Sequence, residues 1–136
     1  MQLYEIMTRD VVTIPPDATV QEAAARMRDR DIGALPVCEG ARLVGIVTDR
    51  DLALRVIAEG RPLTTPVRAV MTPHVLYCFE DQTVKEAAWL MEERKVRRLV
   101  ILDRAERIVG IVSLDDLAAR AGAEALAGEV LKEIAE

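Results

Sequence analysis

The sequence predicts an α/β protein built from two copies of one β-α-β-β-α unit. Two observations predict it. The chain matches itself when Met7 is laid on Met71, and inside each copy short β-rich apolar runs alternate with segments whose apolar residues recur at helical spacing. The overlay sets Met7-Thr8 on Met71-Thr72, Val11 on Val75, Asp17 on Asp81 and Thr19-Val20 on Thr83-Val84. It continues with Glu22-Ala23-Ala24 on Glu86-Ala87-Ala88, Met27 on Met91, Arg30 on Arg94 and Leu35 on Leu99. One inserted residue near Glu106 shifts the register, after which Val44-Gly45-Ile46-Val47 falls on Val109-Gly110-Ile111-Val112 and Asp51-Leu52-Ala53 on Asp116-Leu117-Ala118. Chance does not hold a register through two such units.

Each element has a local reason. A short apolar run around Val11–Ile14 reads as the opening strand. Thr19 followed three residues later by Glu22 is a capping-box pattern that opens a helix, and Thr83 with Glu86 repeats it. In that helix Val20, Ala23, Ala24 and Met27 share a face that must be buried, while Gln21, Arg26, Arg28 and Asp29 fall outside it. Two β-rich runs follow, Ala34–Cys38 and Leu43–Thr48, joined by a turn around Gly40, and their near-continuous apolarity predicts burial on both faces. A second helix runs from Asp49 to about Ala58 and stops at Gly60.

These elements give a first repeat over 4–58, a linker over 59–67 that contains the prolines of Arg61–Pro66, a second repeat over 68–121 and a tail over 122–136. A unit of roughly 50 residues is marginal alone, so the two repeats are expected to pack sheet to sheet as one pseudo-two-fold module. In the tail Leu126, Val130, Leu131 and Ile134 recur at helical spacing, which predicts a helix that needs a partner surface, either the body of the chain or a second subunit.

Composition narrows the function. A hydrophobic content of 51% supports a folded core, and with one Trp, one Phe and two Tyr that core is aliphatic and offers few platforms for stacking bases. A net charge of −5 leaves no basic footprint for nucleic acid. No apolar run reaches the roughly 20 residues that cross a bilayer, and the first ten residues lack a signal-peptide pattern, so a cytoplasmic location is expected. Cys38 and Cys78 are too few and too far apart for a metal knuckle, and each lies in a strand-like apolar run, so both are expected as buried free thiols.

The segment Gly45-Ile46-Val47-Thr48-Asp49-Arg50-Asp51-Leu52, its twin Gly110-Ile111-Val112-Ser113-Leu114-Asp115-Asp116-Leu117, the openings Ile6-Met7-Thr8 and Val70-Met71-Thr72, and Ile32-Gly33-Ala34-Leu35-Pro36-Val37 together resemble the cystathionine β-synthase (CBS) domain family. The resemblance covers the chain from about Tyr4 to Arg120, and several motifs recur twice in the right order. A pair of this kind resembles a Bateman module, and this one is similar to stand-alone bacterial and archaeal members with no attached enzyme or transporter domain. Any effector protein is then expected on another chain.

A strand entering a helix through Gly-x-x-Thr-x-x-Asp brings a hydroxyl and free helix N–H groups to where an anion can sit, and an Asp one turn on can accept from both hydroxyls of a ribose. The same Thr48-x-x-Asp51 and Ser113-x-x-Asp116 patterns are also ordinary helix caps. The resemblance implies an adenosine ligand held in a cleft between repeats, the motif of one facing the opening strand and second strand of the other. Carried over residue by residue, a first site combines Thr48, Arg50 and Asp51 with Thr72, His74, Leu76, Val96, Arg97 and Arg98. A second combines Ser113, Asp115 and Asp116 with Thr8, Asp10, Val12, Ile32, Gly33 and Ala34.

The two sites differ in charge. Where the first has Arg50, His74 and Arg97-Arg98, the second has Asp115, Asp10 and Gly33-Ala34. Arginine pairs phosphate and carboxylates repel it, so a nucleotide with phosphates is expected at the first site. The family's proline in the second strand is Pro36 in repeat one but Val100 in repeat two, so the two pockets are not expected to be shaped alike.

Catalysis is not expected. His74 is the only histidine, no triad of nucleophile, base and orienting acid appears at a recognisable motif, and no Gly-rich phosphate loop with a Lys, metal-ligand cluster or carboxylate pair within a loop is expected. The reading is a regulatory homodimer with AMP, ADP or ATP as ligand and S-adenosylmethionine as a related possibility. The competing reading is a dimerising scaffold with a vestigial cleft, because Leu52, Leu54, Val56 and Ile57 give the second helix more apolar surface than one core face needs.

Overall fold

The architecture is that of a computed structural model in which residues 1–120 are described. The tail over 122–136, with its predicted helix, lies outside the described residues. The chain divides into two compact units that cut across the sequence repeats. A contiguous unit spans Val12–Val75, and a split unit joins Met1–Val11 to the chain from Leu76 onward. Each repeat therefore gives its opening Met-Thr segment to the body of the other.

In the contiguous unit, helix α1 (Val20–Arg30) leads into strands β1 (Ala34–Glu39) and β2 (Arg42–Thr48), then helix α2 (Asp49–Leu52) continues as a π-helical turn at Ala53–Ile57. β1 and β2 pair antiparallel from Ala34 opposite Thr48 to Glu39 opposite Arg42, and Gly40 takes a φ of +61° in the turn that joins them. The split unit repeats the plan with β3 (Tyr77–Phe79), α3 (Val84–Arg94), β4 (Arg98–Leu102), β5 (Ile108–Ser113) and α4 (Leu114–Arg120). Here β3 pairs parallel with β4, and β4 antiparallel with β5. Both hairpins shift register at the same place in the repeat, between Val37 and Cys38 and between Ile101 and Leu102, so the duplication extends to an irregularity of the ladder.

The expected opening strand of the first repeat does not form. Around Val11–Ile14 only Ile14 bridges the sheet, its N–H donating to Pro36 O at 3.0 Å and its carbonyl accepting from Cys38 N–H at 3.0 Å. The reason is two prolines. The counterpart of Pro16 is Glu80, whose N–H donates to Leu102 O at 2.9 Å, a bond Pro16 cannot make, and Pro36 likewise offers a carbonyl without an N–H.

Thr19 and Thr83 cap α1 and α3, accepting from the N–H groups of Glu22 and Glu86 at 3.1 Å. The full capping box expected there is only half built. In α3 the Glu86 carboxylate is engaged by the Gln82 amide and the Thr83 hydroxyl, which hold its pKa below the usual range. Val20, Ala23 and Met27 face the core as expected, but Ala24 is exposed, whereas its counterpart Ala88 is buried. Each unit has its own aliphatic core, one around Ile14, Leu35, Val47, Val56 and Val70, the other around Leu3, Met91, Leu99, Ile101 and Leu117. Full burial on both faces holds for β1 up to Cys38, while β2 alternates between buried and half-buried positions.

Candidate functional site

The two motif turns fold into the same ring of hydrogen bonds. Thr48 N–H donates to Asp51 Oδ2 at 2.9 Å while Asp51 N–H donates to the Thr48 hydroxyl oxygen at 3.1 Å. Ser113 N–H donates to Asp116 Oδ2 at 2.9 Å and Asp116 N–H to the Ser113 hydroxyl oxygen at 3.1 Å. Here the capping box is complete in both copies, the Asp at the third helical position turning back on the N–H of the cap residue. The ring holds each carboxylate and hydroxyl in place at the point where a strand becomes a helix. Asp51 is largely covered, its side chain 14% exposed, and its second oxygen Oδ1 faces Arg55 Nε at 3.9 Å.

Each turn lies near an opening threonine. In the contiguous unit Ile46, two residues before Thr48, exchange hydrogen bonds with Thr72, 2.9 Å from Ile46 N to Thr72 O and 2.8 Å in return. In the split unit Ile111 and Thr8 make the same pair at 3.0 and 2.9 Å. The approach depends on glycine. A Cβ at Gly45 would stand 2.6 Å from the Met71 sulfur, and one at Gly110 would stand 2.6 Å from that of Met7.

Of the first predicted residue set, Thr48, Arg50, Asp51, Thr72 and His74 belong to the contiguous unit, and Leu76, Val96, Arg97 and Arg98 to the split unit. Of the second, Ser113, Asp115, Asp116, Thr8 and Asp10 belong to the split unit, and Val12, Ile32, Gly33 and Ala34 to the contiguous one. Arg50 and His74 are exposed, as are Arg97, Arg98, Asp115, Thr8 and Asp10. Thr72, Ser113 and Asp116 are half-buried, as are Leu76, Val96, Val12, Ile32 and Gly33, and Ala34 is buried.

Within the split unit the fold brings together members of both predicted sets. Arg97 and Arg98 share a cavity of about 230 Å³ with Ser113, Leu114 and Asp115, and Leu114 N–H donates to Arg97 O at 3.1 Å. The equivalent place in the contiguous unit keeps that backbone bond, Asp49 N–H donating to Gly33 O at 2.9 Å, but differs in its side chains, the Asp49 carboxylate lying 3.0 Å from where a Gly33 Cβ would be. Sequence reasoning passed over Asp49 and Arg55. The signal for Arg55 was present as an Asp-x-x-x-Arg spacing in both repeats, Asp51 with Arg55 and Asp116 with Arg120.

Farther from the turns, β3 and α3 border an apolar groove of about 640 Å³ that includes Tyr77, Trp89 and Leu90. In the contiguous unit Thr13 and Arg26, the counterparts of Tyr77 and Leu90, line a polar cavity, and Arg26 donates to Thr13 O at 2.5 Å. Cys38 and Cys78 are both buried free thiols, and burial pushes the Cys78 thiol up to about 11. Among the described residues no group of three or more His, Cys, Asp or Glu is placed to hold a metal ion, and no helix is long and apolar enough to cross a membrane.

Comparison with known proteins places this arrangement among duplicated modules. The family model described as CBS domain matches residues 3–58 and again 67–122. The chain is 41% identical to the CBS domain-containing protein YhcV of Bacillus subtilis over 96% of its own length and 92% of that protein. Among solved structures it is similar to Hypoxic Response Protein I with two coordinated zinc ions, with a TM-score of 0.80 and 33% identity, covering 88% of this chain and 98% of that one. It is also similar to the CBS domain pair of protein MJ0100 in complex with 5′-methylthioadenosine and S-adenosyl-L-methionine, with a TM-score of 0.79 and 26% identity, covering 91% and 98%.

Proposed function

Because the chain belongs to the CBS domain family, we propose that it is a regulatory module that binds an adenosine compound at its Thr48–Asp51 and Ser113–Asp116 turns and performs no catalysis of its own. The observation that carries this reading is the identical ring of hydrogen bonds at both turns, which fixes a hydroxyl and a carboxylate side by side. A carboxylate so held can accept from ribose hydroxyls, and the solved pair of MJ0100 with two adenosine compounds supports that ligand class.

The proposed contacts at the first turn are Thr48, Arg50, Asp51, Thr72 and His74. At the second they are Ser113, Asp115, Asp116, Thr8 and Asp10, with Arg97 and Arg98 beside them. AMP, ADP and ATP are the preferred candidates and S-adenosylmethionine the next. Arg50 after Thr48, against Asp115 after Ser113, favours the first turn for a ligand with phosphates.

The module acts as a homodimer that reports to an effector on another chain. Leu54 and Ile57 are 50% and 70% exposed on the turn after α2, an apolar surface that suits a two-fold interface. Ligand can change the packing of that interface only through different affinity for its two arrangements.

Thermal unfolding with and without millimolar AMP, ADP, ATP or S-adenosylmethionine tests the reading. A ligand at a hundred times its Kd adds about 2.7 kcal/mol, several degrees for a domain of this size. A shift with one adenine compound identifies the ligand class. No shift with any of them, together with a dimer that Leu54→Asp/Ile57→Asp disrupts, would favour the ligand-independent scaffold that these two exposed side chains also suit.

A further inference from the structure

Arg55 lies in the π-helical turn that follows the first motif, and its guanidinium meets two separate parts of the contiguous unit. On one side its Nε is 3.9 Å from Asp51 Oδ1, the carboxylate oxygen that the ring with Thr48 leaves over. On the other its Nη1 donates to Val70 O at 3.2 Å and to Met71 O at 3.4 Å. The π-helical turn, a geometry often found at functional sites, is where the side chain that makes both contacts is presented.

The two peptide units that Arg55 holds are also fixed at their other ends. The Val70–Met71 peptide donates its N–H to Val67 O at 3.0 Å, and the Met71–Thr72 peptide donates its N–H to Ile46 O at 2.8 Å. Ile46 leads directly to Thr48, so Asp51, Arg55, Met71, Thr72 and Ile46 close a loop of contacts around one end of β2. We propose that Arg55 is a positioning residue that couples the Asp51 carboxylate to the Val70–Met71 peptides, so that a change at Asp51 is transmitted to Thr72. The coupling stands on the geometry alone, while its purpose, to report occupancy of the turn, rests on the nucleotide reading above.

Amide exchange at Met71 and Thr72 in the full chain tests the coupling without ligand, because local opening is read where the backbone bonds are. The series is wild type, Asp51→Asn, Arg55→Gln and the double variant, each checked for folding by its Tm. Asp51→Asn keeps an acceptor for Thr48 N–H and removes the charge facing Arg55. Each single variant is expected to speed exchange at Met71 and Thr72, and the double to be no faster than Arg55→Gln alone. Additive effects would overturn the proposal.

A second arm adds millimolar AMP. Slower exchange at Met71 and Thr72 in wild type but not in Arg55→Gln supports the relay, and equal slowing in both overturns it. If AMP binds neither protein, AMP is not the ligand of this turn, and the ligand-free series alone decides the role of Arg55.

Discussion

Gly45 lies against Met71 so closely that a Cβ on the glycine would stand 2.6 Å from the methionine sulfur and 2.9 Å from the Thr72 carbonyl oxygen. The sulfur sits near the end of a flexible side chain and can move, but the carbonyl belongs to a peptide that is bonded to Ile46. Gly45→Ala is therefore expected to force the Met71–Thr72 segment away from β2 at a cost of about 1–3 kcal/mol, the usual range for overpacking. Gly110→Ala, where Met7 and the Thr8 carbonyl take the same places, should cost a similar amount. Urea unfolding of the two variants measures both.

The same contact decides where the chain can be cut. Met71 packs against the contiguous core, and the 3₁₀ turn before it buries Val67 and Val70 there as well. A fragment over 12–75 keeps these residues, and a fragment over 4–58, which follows the sequence repeat, loses them. Both are small enough to be marginal. The first should show a cooperative thermal transition by circular dichroism and the second should not; equal behaviour would mean that Met71, Val67 and Val70 add little to that core.

Most of the fold was legible because a duplicated pattern states each element twice. The helices, the hairpins, the turn at Gly40 and the end at Gly60 follow from capping residues, periodicity and glycines that adopt positive φ. The exchange of opening segments was implied by the family resemblance, which set Thr72 with Thr48 and Thr8 with Ser113, and was not legible from the periodicity. Periodicity says which residues of Val70-Met71-Thr72 are apolar, but not which body they cover. The missing strand at Val11–Ile14 was readable in principle from Pro16 and Pro36, since each removes an N–H from the ladder. At the candidate site the Thr and Asp of each turn were visible as a spacing. The role of Arg55 was not, because it depends on a π-helical turn and on carbonyls far along the chain.

Cys38 and Cys78 should resist modification in the folded protein. Burial raises both thiols, and Cys78, pushed up to about 11 by burial and then by the nearby Glu86 charge, holds almost no thiolate at pH 8. Labelling with a thiol reagent at pH 8 should be slow in buffer and rapid for both residues in guanidinium chloride. Fast labelling of native Cys78 would show that the edge of the split unit opens readily.

Acid should weaken the split unit through two carboxyls. Asp81 is held below the usual carboxylate range chiefly by hydrogen bonds from the Arg104 guanidinium, which also lies 4.1 Å over the Phe79 ring. Asp103 is held down first by the Arg107 N–H and then by its guanidinium. Groups whose folded pKa is depressed contribute stability above the unfolded value of about 3.9, and that contribution is lost as pH falls through the folded value. The Tm of the wild type should thus drop more steeply below about pH 4 than that of Asp81→Asn/Asp103→Asn, with the two curves parallel near neutrality.

Replacing the two motif carboxylates separates capping from binding. Asp51→Ala and Asp116→Ala each break a reciprocal cap of the same geometry, so each should lower stability by about 0.5–2 kcal/mol. Nucleotide affinity, measured by calorimetry below the Tm of both variants, should fall more for Asp51→Ala. The reason is the neighbour in the first turn of each helix: Arg50 attracts a phosphate, and Asp115 repels it. The opposite result is just as readable. Arg97 and Arg98 share a cavity with Ser113 and Asp115, so a larger loss in Asp116→Ala would assign the phosphate to that arginine pair and overturn the preference for the Thr48 turn.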